Sequence, residues 1–112
     1  MSKAPSLSSH VLDTTLGKPA SNMQLILTAP NGDIARVQTD ADGRCNQWSE
    51  VVISAGHYHL RFVTGEYLSS QHGSAFYPFV DVHFEITQDG GHYHIPLLIS
   101  PSRCPRSNSL WL

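Results

Sequence analysis

Charge is scarce in this chain. Only 14% of its 112 residues are Asp, Glu, Lys or Arg, and the formal net charge is -2. No basic cluster is present, so nucleic acid and anionic membranes are poor partner choices. So little charge on a chain of one-domain size points to surface buried in an oligomer. Cysteine is scarcer still. Cys45 and Cys104 are too few for a disulfide framework and read as thiols of a reducing compartment. No apolar run is long enough to span a bilayer. The opening Met1-Ser2-Lys3-Ala4-Pro5 lacks the apolar core of a secretory signal, and Leu110-Trp111-Leu112 is not a peroxisomal address. The cytoplasm is therefore the default expectation. Several chemical motifs are missing as well. There is no Gly-x-Ser-x-Gly elbow, no Gly-rich phosphate loop, no Cys-x-x-Cys and no His-Glu-x-x-His. Covalent serine chemistry has no motif behind it, and neither a metal nor another cofactor is expected.

Helical periodicity is nearly absent too; alternation takes its place. In Phe79 to Ile86, Val80, Val82, Phe84 and Ile86 share one face, while Asp81, His83 and Glu85 share the other. That is a half-buried strand, with its carboxylates facing solvent. Tyr58, Leu60 and Phe62 alternate with His57, His59 and Arg61 in the same way. Met23 to Ala29 and Ile34 to Thr39 flank Asn31-Gly32, a hairpin signal. Asp40-Ala41-Asp42-Gly43 is a second turn, which delivers Arg44 and Cys45; Cys45 is expected to pack. His10 to Asp13 reads as the first strand, closed by Gly17-Lys18-Pro19. The one helical candidate is short, Gly65 to His72, in a polar link between strands. Seven or eight short strands at regular spacing predict an all-β sandwich. The chain reads as one domain over residues 1–112, with a flexible lead-in at 1–6.

Seven histidines are many for this length. His57, His59 and His83 fall on polar strand positions and read as solvent-facing imidazoles. His72, in the polar link, has no claim on a site. His10 directly precedes an apolar pair, and His92 and His94 precede Pro96, which belongs at a strand edge or start. His92 and His94 share one strand face, about 6.6 Å apart. Imidazole takes and returns protons near neutral pH, so this pair is either a site or a wet sheet edge. The two His-Tyr-His stretches leave a histidine-rich metal domain as a remote third possibility. Arg44, after a tight turn, is either solvated or presents its planar fork to an anionic, heteroatom-rich ligand.

Four stretches in consistent order carry a family resemblance. Leu7-Ser8-Ser9-His10-Val11-Leu12-Asp13 followed by Gly17-Lys18-Pro19-Ala20, then Thr39 to Cys45, then Phe76-Tyr77-Pro78-Phe79-Val80, then His92 to Pro101, resemble the 5-hydroxyisourate hydrolases, the transthyretin-related enzymes of urate breakdown. The resemblance implies a transthyretin-like two-sheet β-sandwich with one short helix. It also implies a homotetramer with active sites in the channel between dimers. The family's catalytic and substrate-binding positions fall on His10, Arg44 and His94, where transthyretin proper has lysine, glutamate and threonine. The role of His92 stays open. The implied substrate is 5-hydroxyisourate, opened at a cyclic amide to 2-oxo-4-hydroxy-4-carboxy-5-ureidoimidazoline without a metal. The resemblance stops after Pro101. Residues 102–112 lack the family's closing Tyr-Arg-Gly-Ser, and Pro105 removes a backbone donor where strand pairing is expected. That tail keeps a second reading open: a transthyretin-like tetramer that holds a small aromatic ligand without turnover.

Overall fold

The computed structural model describes residues 5–48, 51–73 and 77–100. Eight strands and one helix lie among them: β1 (Ser6–Asp13), β2 (Lys18–Pro19), β3 (Gln24–Thr28), β4 (Ile34–Gln38), β5 (Arg44–Cys45), β6 (Gly56–Phe62), α1 (Thr64–His72), β7 (Val80–Ile86) and β8 (His92–Ile99). The expected all-β sandwich is there. One sheet runs β4-β3-β6-β7, antiparallel throughout. The other is organised by β1, which pairs antiparallel with β2 and β5 and parallel with β8. β1 is longer than the sequence suggested. It begins at Ser6, whose N–H donates to Gly91 O at 3.0 Å, so the last residue of the expected lead-in is already paired. Residues 102–112 lie outside the described residues.

Period-two alternation builds the core. Leu7, Val11, Leu97 and Ile99 point inward from the β1/β8 sheet, and Leu25, Leu27, Tyr58, Leu60 and Phe62 meet them from the other. Tyr58 is wholly buried, yet its hydroxyl is satisfied. It donates to Ser54 O and accepts from Ser54 N–H, both at 2.8 Å. Cys45 packs as expected, and burial pushes its thiol pKa up. The β3–β4 hairpin closes at Pro30-Asn31-Gly32, inside the Ala29 N–H to Asp33 O bond of 2.8 Å. Gly32 takes φ +96°, the positive value that this loop length calls for. Pro96 is tolerated within β8 because, among the described residues, β8 pairs only with β1 and forms a sheet edge.

The helix is short, and three residues on one face, Thr64, Tyr67 and Leu68, anchor it. Gly73, at φ +79°, ends it in a left-handed cap, donating to Ser69 O at 3.0 Å. His72 ends α1, as the helix reading expected, but it is not idle: its Nε2 sits 2.7 Å from Asp13 Oδ2. Asp13 is wholly buried at the end of β1. Its Oδ2 also accepts from Tyr67 OH at 2.9 Å, and its Oδ1 accepts from the N–H groups of Thr15 and Leu16. Sequence spacing gave no hint of this network, because its members lie 54 and 59 residues apart. Burial pushes the Asp13 carboxyl up. The bonds from His72, Leu16 and Tyr67 more than offset this and hold it below its ordinary value, while burial, and then the bond to Asp13, push Tyr67 up.

The unfolded Asp13 binds a proton more readily than the native one, so acid favours unfolding. Its contribution is complete above the ordinary carboxylate pKa of about 3.9 and is lost as pH falls through the lower native value. Tyr67→Phe removes one donor from a buried carboxylate. It is expected to cost about 1.5–3 kcal/mol at neutral pH, read as a lower urea midpoint with unchanged slope. The difference from the parent should shrink in acid. An unchanged midpoint at pH 7 would show that this contact adds nothing.

Candidate active site

The outward face of the β1/β8 sheet follows from the same alternation that fills the core. With Leu7, Val11 and Asp13 turned inward, Ser6, Ser8 and His10 turn outward. With Leu97 and Ile99 inward, His92, His94 and Pro96 turn outward. The parallel register sets Ser6 opposite His92, Ser8 opposite His94 and His10 opposite Pro96. On the other side of β1, His10 pairs with Arg44 and Ser9 with Cys45. Cys45 is buried, so Arg44 faces out. The three sequence-predicted residues therefore share one sheet face, on three adjacent strands.

Arg44 is fixed by its turn. Asp40 Oδ1 accepts from the N–H groups of Asp42 at 2.8 Å and Arg44 at 3.0 Å, and Asp40 N–H donates to Arg44 O at 2.9 Å. Gly43, at φ +73°, donates to Asp40 O, and its own carbonyl accepts from Val11 N–H at 2.8 Å. A Cβ at Gly43 would lie 2.5 Å from Val11 O, so only glycine lets the turn sit against β1. The Arg44 N–H, foremost, holds the Asp40 carboxyl below its ordinary value, with the Arg44 and His10 charges adding to this.

His94 is held from one side. Its Nδ1 lies 2.8 Å from Ser8 Oγ, and Nε2 has no hydrogen-bond partner among the described residues. Burial, and then the nearby His10, His92 and Arg44 charges, lower its pKa below the ordinary histidine value. A neutral ring with one nitrogen anchored and the other bare is suited to accepting a proton. The His10 ring and the Arg44 guanidinium make no side-chain hydrogen bond among the described residues. His92, left open by the sequence, is not isolated: Ser6 Oγ lies 2.6 Å from its Nδ1, and Ser8 Oγ lies 2.9 Å from its Nε2. Sequence reasoning passed over both serines. The alternation Ser6-x-Ser8-x-His10 was a usable signal, but only the partner strand shows what it meets.

His57, His59 and His83 lie on the outward face of the other sheet. They do face out, but not separately. His59 and His83 stack with ring centres 4.5 Å apart and planes at 8°, and His57 Nε2 lies 3.1 Å from His83 Nδ1. Asp81 grips Arg61 with two bonds of 2.7 and 2.9 Å and lies 3.2 Å from His59 Nε2. Among the described residues, no three or more His, Cys, Asp or Glu side chains are arranged to hold a metal ion.

A two-sheet sandwich with one short helix and a His-Arg-His face on three adjacent strands of one sheet defines a class. A model of the HIUase/Transthyretin family matches residues 7–103, and the chain belongs to that family. Among curated proteins, it is 37% identical to a probable 5-hydroxyisourate hydrolase of Schizosaccharomyces pombe, over 88% of this chain and 86% of that one. It is 38% identical to the 5-hydroxyisourate hydrolase of Salmonella dublin, over 84% and 73%. Among solved structures, the Klebsiella pneumoniae 5-hydroxyisourate hydrolase superposes with a TM-score of 0.75 at 31% identity, over 88% and 91%. Sparus aurata transthyretin does so with 0.74 at 31%, over 88% and 90%.

The electrostatics give a spectroscopic expectation. In an NMR titration the His94 ring should protonate below the ordinary histidine range, because neighbouring positive charge and burial disfavour the imidazolium. Arg44→Ala removes one of those charges and should raise the midpoint. A His94 midpoint at or above the ordinary value in the parent would contradict this arrangement.

Proposed function

We propose that this chain hydrolyses 5-hydroxyisourate, with His10, Arg44 and His94 as the residues that touch substrate and water. The single observation that supports this most is the placement of those three side chains on one face of adjacent strands. Overall shape does not separate an enzyme from a carrier, because a hydrolase and a transthyretin superpose equally well on this sandwich. The residues on the face do. Two imidazoles and a guanidinium provide a base, an acid and an anion partner.

The substrate is a small oxidised bicycle, and ring opening adds water across a cyclic amide. His94 Nε2 takes a proton from water, with His10 helping to orient it. The resulting hydroxide bonds to the amide carbonyl carbon. Arg44 donates hydrogen bonds to the oxyanion that forms and steadies its charge. The C–N bond then breaks, the nitrogen receives a proton, and the new carboxylate stays on the one ring-opened product. No metal is needed for any step.

On a single protomer this face is open. His94 and Arg44 are exposed and His10 is half-buried. A second copy laid over it would exclude water and strengthen the Arg44 interaction. A homotetramer with sites between dimers supplies such a cover. The cytoplasm is the proposed compartment; the buried, unpaired Cys45 thiol suits a reducing one.

The assay follows ring opening of freshly generated 5-hydroxyisourate by absorbance, with spontaneous decay as the reference rate. His94→Ala is expected to lose about 10²–10⁴-fold in rate, the usual contribution of a general base. Arg44→Ala is expected to lose about 10²–10³-fold, as when one oxyanion donor is removed. Full activity in both variants would remove the assignment.

A further inference from the structure

The polar face holds more than the three substrate-facing residues. Ser6, His92, Ser8 and His94 form one unbroken hydrogen-bonded string, with successive distances of 2.6, 2.9 and 2.8 Å. A serine hydroxyl has one proton to donate, and a neutral imidazole has one N–H. Each link therefore has a single donor, and the choice at one link fixes all the others. In one sense, His94 Nδ1–H donates to Ser8, Ser8 donates to His92 Nε2, and His92 Nδ1–H donates to Ser6. His94 Nε2 is then bare and basic. In the other sense every bond is reversed, and His94 Nε2 carries the proton.

We propose that Ser8, His92 and Ser6 are a proton relay that switches His94 between base and acid during ring opening. This rests on the hydrolase reading given above. The surroundings of His94 show why a relay helps. Among the described residues, the charged and titratable groups around it are His10 on β1, His92 on β8 and Arg44 on β5, with Asp40 beside Arg44 on the preceding turn. Three of these four are positive or can become so, which makes an imidazolium costly. A relay lets His94 take a proton without becoming charged.

The proton count balances. Water gives a proton to His94 Nε2, and its oxygen bonds to the carbonyl carbon. His94 Nδ1 passes its proton to Ser8 Oγ, and Ser8 passes its own to His92 Nε2. His92 Nδ1 passes its proton to Ser6 Oγ, and Ser6 releases one to solvent. Each group ends with one proton and no net charge. The return stroke gives the Nε2 proton to the amide nitrogen as its C–N bond breaks, and Ser6 takes a proton back from solvent. No electrons are transferred. The outer end of the string lies at the start of β1, away from His10 and Arg44, and on the single protomer Ser6 and His92 are both exposed there. In this scheme Ser8, His92 and Ser6 are positioning residues; they act through His94.

The test compares kcat, KM and the pH–rate profile of the full chain with those of Ser8→Ala, Ser8→Thr and His92→Phe, folding being checked by circular dichroism. Ser8→Ala and His92→Phe should each lose about 10–10²-fold in kcat, part of what a general base supplies. KM should stay within about twofold, since the loss falls on the chemical step. The acidic limb of the pH profile should move in both. Ser8→Thr, which keeps the hydroxyl, should restore rate and profile. If the parent chain is active while Ser8→Ala and His92→Phe keep its kcat and profile, the relay is wrong and the hydrolase reading stands. A Ser8→Ala loss that is confined to KM, or that threonine does not restore, makes Ser8 a packing or binding residue and also overturns the relay. A parent chain that does no better than spontaneous decay overturns both.

Discussion

The parallel pairing of β1 with β8 is the constraint on which the rest depends. It joins the beginning of the described chain to its end over eight consecutive residue pairs, Ser6 with His92 through Asp13 with Ile99. In a parallel ladder, paired residues project to the same side. One register therefore settles two matters at once. It sends Leu7, Val11, Leu97 and Ile99 into the core, and it lines Ser6, Ser8 and His10 against His92, His94 and Pro96 outside. A slip by one residue would exchange the two faces and bury the imidazoles. The apolar core thus protects the site: the register that builds one cannot be lost without losing the other.

The second requirement is the placement of Arg44. A strand of two residues has little pairing of its own to hold it. The Asp40 carboxylate accepts two N–H bonds from within the turn, and Gly43 lets that turn approach the β1 backbone more closely than any side chain would allow. A long, flexible side chain is in this way given a rigid root beside His10. Rigid support for the groups that meet a substrate is what preorganised electrostatic stabilisation demands. At the far end of β1, Asp13 ties the strand to α1 through Tyr67 and His72, so the central strand is anchored at both ends.

A hydrolase and a transthyretin share this sandwich almost equally well by shape, which shows how little the architecture says about chemistry. What differs between the two readings is a few side chains on one sheet face. The outward face of the opposite sheet makes the same point in reverse. His57, His59 and His83 are equally numerous and close together, yet they meet each other, Asp81 and Glu85, and the arginine on that face, Arg61, is already gripped by Asp81. Histidine count does not make a site; the neighbours do.

Much of the fold was legible in the residues themselves. Alternation located β6 and β7 and named their buried faces, Asn31-Gly32 marked a hairpin, and Asp40 to Gly43 marked the turn before Arg44. These are local properties, set by backbone sterics and by the two-residue period of a strand. The family resemblance singled out His10, Arg44 and His94. The linear order could not show that Ser8 reaches His94, that His92 lies between two serines, or that His72 closes on Asp13, because those contacts span 59 to 86 residues. The sequence by itself determined which residues face the core and which face out. Tertiary structure alone decided which outward faces meet, because strand neighbours come from long-range hydrogen-bond pairing and not from proximity along the chain.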